Sequence, residues 1–194
     1  MAGQFTSLGN ADSDISEYLK AWIKQDRGGV NTVVCGVIGE GTSKELVSNW
    51  ESPFDGESLG GHFKKVGGVI EYVTGAGLTS KTTLASRQTW QGNEPHTFNL
   101  VLVFYALSNA ANEVSAPIAA LERMMSPEIN AVMPAGRTPL PVTLNIGRNA
   151  IMTDCVITNM SVPLDQQKTK DGHLVRAEVN LQIETIEMVN LSAK

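Results

Sequence analysis

Positive charge is scarce in this chain: 15 Lys and Arg stand against 20 Asp and Glu in 194 residues, a formal net charge of -5. Binding to a phosphate backbone relies on clustered Lys and Arg that displace counterions, so this balance argues against a nucleic-acid ligand. Cysteine is nearly absent. The only two, Cys35 and Cys155, are far apart and do not make a disulfide framework, and the first residues lack the basic-then-apolar pattern of an export signal. A reducing cytoplasm is the expected compartment. Long apolar runs are missing too: the longest, Leu100–Leu107, is far short of the roughly 20 residues that span a bilayer, so no membrane partner is expected. His62, His96 and His173 are isolated, with no His-x-x-x-His pair and no cysteine at ligand spacing, and no metal site is expected.

One stretch invites a catalytic reading. Gly36-Val-Ile-Gly39-Glu-Gly41-Thr-Ser-Lys44 is a glycine-rich turn after a Val-rich segment. A phosphate-cradling loop needs Lys before Ser/Thr, so that the amine reaches the outer phosphates and the hydroxyl reaches the metal; here Lys44 comes last. The glycine spacing also fails the dinucleotide fingerprint, and a strand-ending turn is the simpler reading. Cys35 and Cys155 lie in apolar stretches where a thiol acts as a small buried hydrophobe. No catalytic residue and no cofactor is expected.

What is present is enough apolar sequence, 42% against 18% charged, for one full core. Asp14-Ile-Ser-Glu17 reads as a capping box opening a helix whose face carries Ile15, Leu19, Trp22 and Ile23, stopped at Arg27-Gly28-Gly29. Residues 1–29 are thus an expected N-terminal arm and helix, and residues 30–194 the main domain. Val30–Ile38 reads as a buried strand, Leu59–Val73 as a glycine-weakened helix, and the region around Ser86–Gln91 as a strand. Phe98, Leu100, Leu102 and Phe104 alternate with Asn99, Val101, Val103 and Tyr105, which predicts a central strand covered on both faces. Asn112 is placed to cap a helix with Val114, Ile118, Leu121 and Met125 on one side and Pro117 in its first turn. After a proline-rich connection over 127–141, three strands come next: Val142–Ile146, about Ile151–Val162, and a two-sided strand. In the last, Val175, Ala177, Val179, Leu181 and Ile183 face inward, and Arg176, Glu178, Asn180, Gln182 and Glu184 face outward. Large rings are costly to leave in water and favoured at interfaces. Trp50, Phe54 and Trp90 are thus read either as core or as interface rings, the second strand face of Val101, Val103 and Tyr105 needs further cover, and Arg176 and Glu178 face either water or a subunit neighbour; these eight are the expected subunit-interface residues.

The segment from Ser80 through Trp90-Gln-Gly92 to Pro95, followed by Phe98–Phe104, resembles the tube-initiator and baseplate tube-adaptor proteins of contractile phage tails and related injection systems. Trp50-Glu-Ser-Pro53-Phe54, the run from Asn112 to Pro127, Pro141–Gly147 and Asp171–Val179 are similar to further parts of that family, so the resemblance covers about residues 46–187. It implies an α+β protein: an antiparallel split β-barrel or sandwich of tail-tube type, with a flanking helix beside the N-terminal one. It also implies a homo-hexameric ring that joins the central baseplate hub to the tail tube and templates tube assembly. Tube protein, hub and neighbouring baseplate proteins would be the partners, with DNA passing through the lumen without specific binding. The setting would be the virion tail at the baseplate–tube junction, assembled in the host cytoplasm. Many relatives carry a C-terminal LysM-type module; this sequence ends at Lys194 after its last strand, which shifts the expectation from peptidoglycan binding to a tubular role. A tail-completion or terminator ring at the other end of the tube is the alternative, and a nucleotide-dependent enzyme acting through Gly36–Lys44 the third reading.

Overall fold

A computed structural model describes residues 4–11, 14–51, 88–127 and 138–188. Phe54, His62, the helix expected over Leu59–Val73 and most of the 127–141 connection lie outside the described residues. The chain divides into two units, Met1–Glu45 with Pro95–Lys194, and Leu46–Glu94.

The first unit is built on strands β1 (Gln4–Gly9), β2 (Lys20–Arg27), β3 (Val30–Ile38), β4 (Ser43–Glu45), β7 (Thr97–Tyr105), β8 (Val142–Ile146), β9 (Ala150–Ser161) and β10 (Arg176–Thr185), with one α-helix, α1 (Ala116–Met125). The second contributes a two-stranded antiparallel sheet of β5 (Ser48–Glu51) and β6 (Thr89–Asn93). The fold is mostly antiparallel β with a single short helix among the described residues, and six strands close into a barrel in the order β3-β2-β8-β9-β10-β7 and back to β3.

Period-2 patterning generates this wall. Phe98, Leu100, Leu102 and Phe104 of β7 point into the barrel opposite Ile183, Leu181, Val179 and Ala177 of β10, so a large ring faces the smallest side chain at one end. Such interleaving fills a small barrel, whose interior is only wide enough for side chains. The bends needed for closure come from bulges on β9: its pairing with β8 shifts between Val142 and Leu144 beside Asp154 (φ 55°), and its pairing with β10 shifts between Gln182 and Ile183. The helix caps the same interior. Val114, Ile118, Leu121 and Met124 join the barrel core, and burying a side chain such as Leu121 contributes about 1.5–3 kcal/mol.

The expected N-terminal helix is not there. Residues 17–19 make a single 3-10 turn, and Lys20–Arg27 continue as β2, paired to β3 along its length. Ala21, Ile23 and Gln25 face inward while Trp22, Lys24 and Asp26 face outward, a strand alternation disguised because its third inward residue is polar. Gln25 is buried usefully: its Nε2 donates to the carbonyls of Met124 (3.2 Å) and Leu140 (2.9 Å), satisfying the open C-terminal end of α1. Gly28 and Gly29, read as a helix stop, both take positive φ, the geometry of a tight two-residue hairpin turn. The domain boundary expected after Gly29 is therefore interior to a paired hairpin, and β1 and β2 belong to the barrel unit.

Closure depends on a short seam. β3 pairs in parallel with β1 as far as Cys35, and only then meets β7, at Val37↔Val103 and Ile38↔Leu102. Asn10 sits at the branch. Its backbone N–H donates to Cys35 O (3.0 Å), its Nδ2 donates to Tyr105 O (2.8 Å), and its Oδ1 accepts from Tyr105 N–H (3.2 Å), so one side chain takes the place of a strand residue. Gly9 precedes it at φ 94°, and a Cβ there would stand 2.2 Å from Cys35 O. Asn10→Ala is expected to lower stability by about 1–3 kcal/mol, the usual effect of stranding a pair of partly buried hydrogen-bonding groups. Asn10→Asp should be at least as damaging, because its second oxygen would face the Tyr105 carbonyl; chemical denaturation of both variants checks this.

The start of the helix also departs from expectation. Residues 111–115 form a π turn, and the cap is Asn109 in place of Asn112: its Oδ1 accepts from the N–H groups of Ala111 (3.0 Å) and Asn112 (3.4 Å). Val114, Ile118 and Leu121 are buried as expected, and Met124 enters the core where Met125 was expected. Glu113 reaches back, its Oε2 accepting from the N–H groups of Leu107 (2.6 Å), Ser108 (3.0 Å) and Asn109 (3.1 Å), while Ser108 Oγ donates to Oε1 (3.0 Å). These donors, the Ser108 N–H first, hold the carboxyl below the usual Glu range. A depressed carboxyl pKa contributes stability above the ordinary value that is lost as pH falls through the folded-state value. Thermal melts should show Glu113→Gln below the wild type at neutral pH, with the gap narrowing on acidification; a gap independent of pH would contradict the assignment.

Candidate functional site

Five of the expected interface residues come together on one outer wall. In the β7–β10 register Tyr105 lies opposite Arg176, Val103 opposite Glu178 and Val101 opposite Asn180. Directly paired residues share a sheet face, so Val101, Val103 and Tyr105 form a half-buried stripe beside two exposed charges. Arg176 and Glu178 pair at 2.7 Å with both side chains at least half exposed, which limits that bridge to about 0.2–1 kcal/mol. Part of the stripe is covered from within. Gly39 N–H donates to Val101 O (2.8 Å), Thr42 Oγ1 accepts from Val101 N–H (3.1 Å), and a Cβ on Gly39 would lie 2.7 Å from Val101 Cγ1. Further along, Asn99, Asn159, Ser161, Asn180 and Gln182 line a polar depression of about 370 Å³.

Trp50 and Trp90 face each other across the β5–β6 pair, where pairing shifts between Asn49 and Trp50. Trp90 Nε1 donates to Ser48 Oγ (3.1 Å), yet the two rings remain 55% and 51% exposed. Both were predicted to be interface residues, and both present apolar surface to solvent. The third ring of that set, Phe54, is outside the described residues.

The wall that sequence reasoning missed is the outer face of β3, β2, β8 and β9. Trp22, Lys24, Val33, Thr143, Asn145, Arg148 and Ile151 line a shallow depression there, also about 370 Å³. Arg148 sits in a left-handed turn (φ 57°) after Gly147, held by an N–H bond to Asn145 Oδ1 (3.1 Å). Its guanidinium pairs with Glu17 at 2.7 Å and lies over the Trp22 ring, 5.8 Å from the centroid. The signal that marks this wall was the alternation of residues 20–27, hidden by the helical reading.

The structure places most of the candidate chemical groups in structural settings. Lys44 reaches over the Phe98 ring (5.6 Å), and Gly36 packs against Leu102 and Phe104, so the glycine-rich stretch serves barrel closure. His96 lies in the loop before β7 and is buried, its backbone clamped to Thr185 by bonds in both directions. His173 Nδ1 lies 3.1 Å from Ser115 Oγ. Cys35 and Cys155 are both buried. Burial first, and the Asp154 carboxylate second, push the Cys155 thiol up to about 11. Among the described residues no group of three or more His, Cys, Asp or Glu gathers as a metal site, and no helix is long and apolar enough to cross a membrane.

At pH 8 a thiol with that pKa is ionised in about one molecule in a thousand, so the native protein should leave Cys155 unmodified by a thiol-specific reagent until denaturant is added. The raised pKa also favours the folded state below the ordinary thiol value and loses that contribution as pH rises towards 11. Peptide mapping after labelling checks the first expectation; rapid native modification of Cys155 would refute it. No protein-family model matches the chain, and no curated protein matches it.

Proposed function

We propose that this protein is a structural component of a contractile phage tail: a ring, built from copies of the chain, that joins the baseplate hub to the tail tube and templates tube assembly. The observation that carries the reading is the way the barrel ends in open margins. Among the described residues β1 pairs with a strand on one edge only, and β4 extends the β7 side by three residues. Unpaired strand edges invite further strands, and a ring of identical subunits is a closed way to satisfy them. The half-buried Val101, Val103 and Tyr105 stripe and the exposed Trp50 and Trp90 rings fit the same picture, since they are surfaces that gain from cover.

The tail-tube type of split barrel is part of this proposal. So are the hexameric count, the virion location and the lumen through which DNA passes. The resemblance running from Trp50 through Ser80–Phe104 to Val179 supports them. An acidic chain suits a conduit for DNA, because a negative wall does not hold a polyanion. No catalytic role belongs to this reading.

Negative-stain microscopy and mass photometry test it, using the purified protein alone and mixed with a tail-tube protein. The expected result is rings that cap tube ends and shorten the lag of tube polymerisation. A protein that stays monomeric and leaves tube assembly unchanged would sink the proposal.

A further inference from the structure

Two outer walls of the barrel complement each other, and we infer that they meet between copies: the β2–β8 wall of one subunit docks on the β7–β10 wall of the next. The inference rests on the ring reading and names its contact surface. Three features support it. Round the six-strand circuit β2 lies three strands from β10, and β8 three from β7, so the walls face different directions and one subunit can use both at once. That is the requirement for a head-to-tail contact, the kind that builds rings.

Both walls also offer apolar surface in strand-regular rows. On the first, Trp22 pairs in register with Asn145 and Asn145 with Ile151, and Ile151 is 59% exposed. On the second, Val101, Val103 and Tyr105 make the half-buried stripe.

Charge then decides which wall meets which. On the first wall Arg148 is taken by Glu17, while Asp26 keeps its charge at the hairpin end, accepting from Gly29 N–H (3.1 Å) and lying outside the set of side chains that line the depression. That leaves Lys24, exposed and in register between Val33 and Thr143, forming no ion pair among the described residues. On the second wall Arg176 is taken by Glu178. Glu45 and Glu184 remain there, accepting from the amides of Asn99 and Gln182. The first wall has a spare cation and the second has spare carboxylates. Joining a wall to its own copy sets like charges together, whereas joining the two different walls pairs them.

The test is a charge exchange. Lys24→Glu and the double variant Glu45→Lys/Glu184→Lys are prepared separately, with circular dichroism confirming that each folds. Mass photometry at low salt should show the wild type assembled and each variant at least about tenfold weaker in association, the scale of a lost interfacial charge pair. An equimolar mixture should recover assembly. In an alternating ring, each first wall reversed to glutamate meets a second wall reversed to lysine, and each unchanged Lys24 meets unchanged carboxylates. Wild-type assembly that ignores both reversals, or a mixture that fails to recover, overturns the wall pairing and leaves the ring reading standing. A wild type that remains monomeric overturns the ring reading and the pairing with it.

Discussion

Everything in the barrel unit depends on joining β3 to β7. Without the pairs Val37↔Val103 and Ile38↔Leu102 the sheet is an open ribbon, with Phe98, Leu100, Leu102 and Phe104 facing water across half its width. The seam is short because β1 already occupies the first part of the β3 edge, so the closing contact has to be made by very close approach. Small residues make that approach sterically possible. Gly36 lets the Phe104 ring lie where a Cβ would stand 3.0 Å from it, and Gly39 lets the corner after β3 press on Val101. Asn10 supplies the remaining hydrogen bonds at the point where β1, β3 and β7 diverge.

The helix answers a second need created by closure. A barrel of six strands has an end to be covered, and α1 presents Ile118, Leu121 and Met124 to the interior while Gln25 ties down the helix C-terminus from within the wall. At the helix start, Asn109 and Glu113 satisfy backbone donors that a π turn would otherwise leave exposed. Polar side chains on inward or junction positions thus carry the connections between elements, and apolar ones carry the bulk of the core. The outer surface is left free of structural duty, which is why its apolar rows and uneven charges on the β2–β8 and β7–β10 walls bear on assembly.

The strands β3, β7, β8, β9 and β10 were legible because each has an apolar alternation or an apolar run of its own, and in β7 the inward residues emerged as predicted. The grouping of Val101, Val103 and Tyr105 with Arg176 and Glu178 was legible only as membership of one set; the register that puts them opposite one another was not. β2 was misread since Ile15, Leu19, Trp22 and Ile23 match a helical period, and the inward Gln25 breaks the apolar alternation that would have marked a strand. Its amide is buried because two distant carbonyls accept from it, a fact with no trace in local sequence. The Trp22–Lys24–Arg148 wall was lost with that misreading.

By itself, then, the sequence determined what local periodicity and composition can determine: a mostly antiparallel β core, one helix after β7, and buried thiols. Side-chain alternation is a property of each strand alone, and it survives whatever the strand pairs with. Tertiary structure decided the closure at β3 and β7, the branch at Asn10, the replacement of an N-terminal helix by two barrel-unit strands, and the pairing of charges on each outer wall. Those features join residues far apart in the chain, as Asn10 and Tyr105 are at 95 positions, and their energy exists only once the chain has brought both partners together.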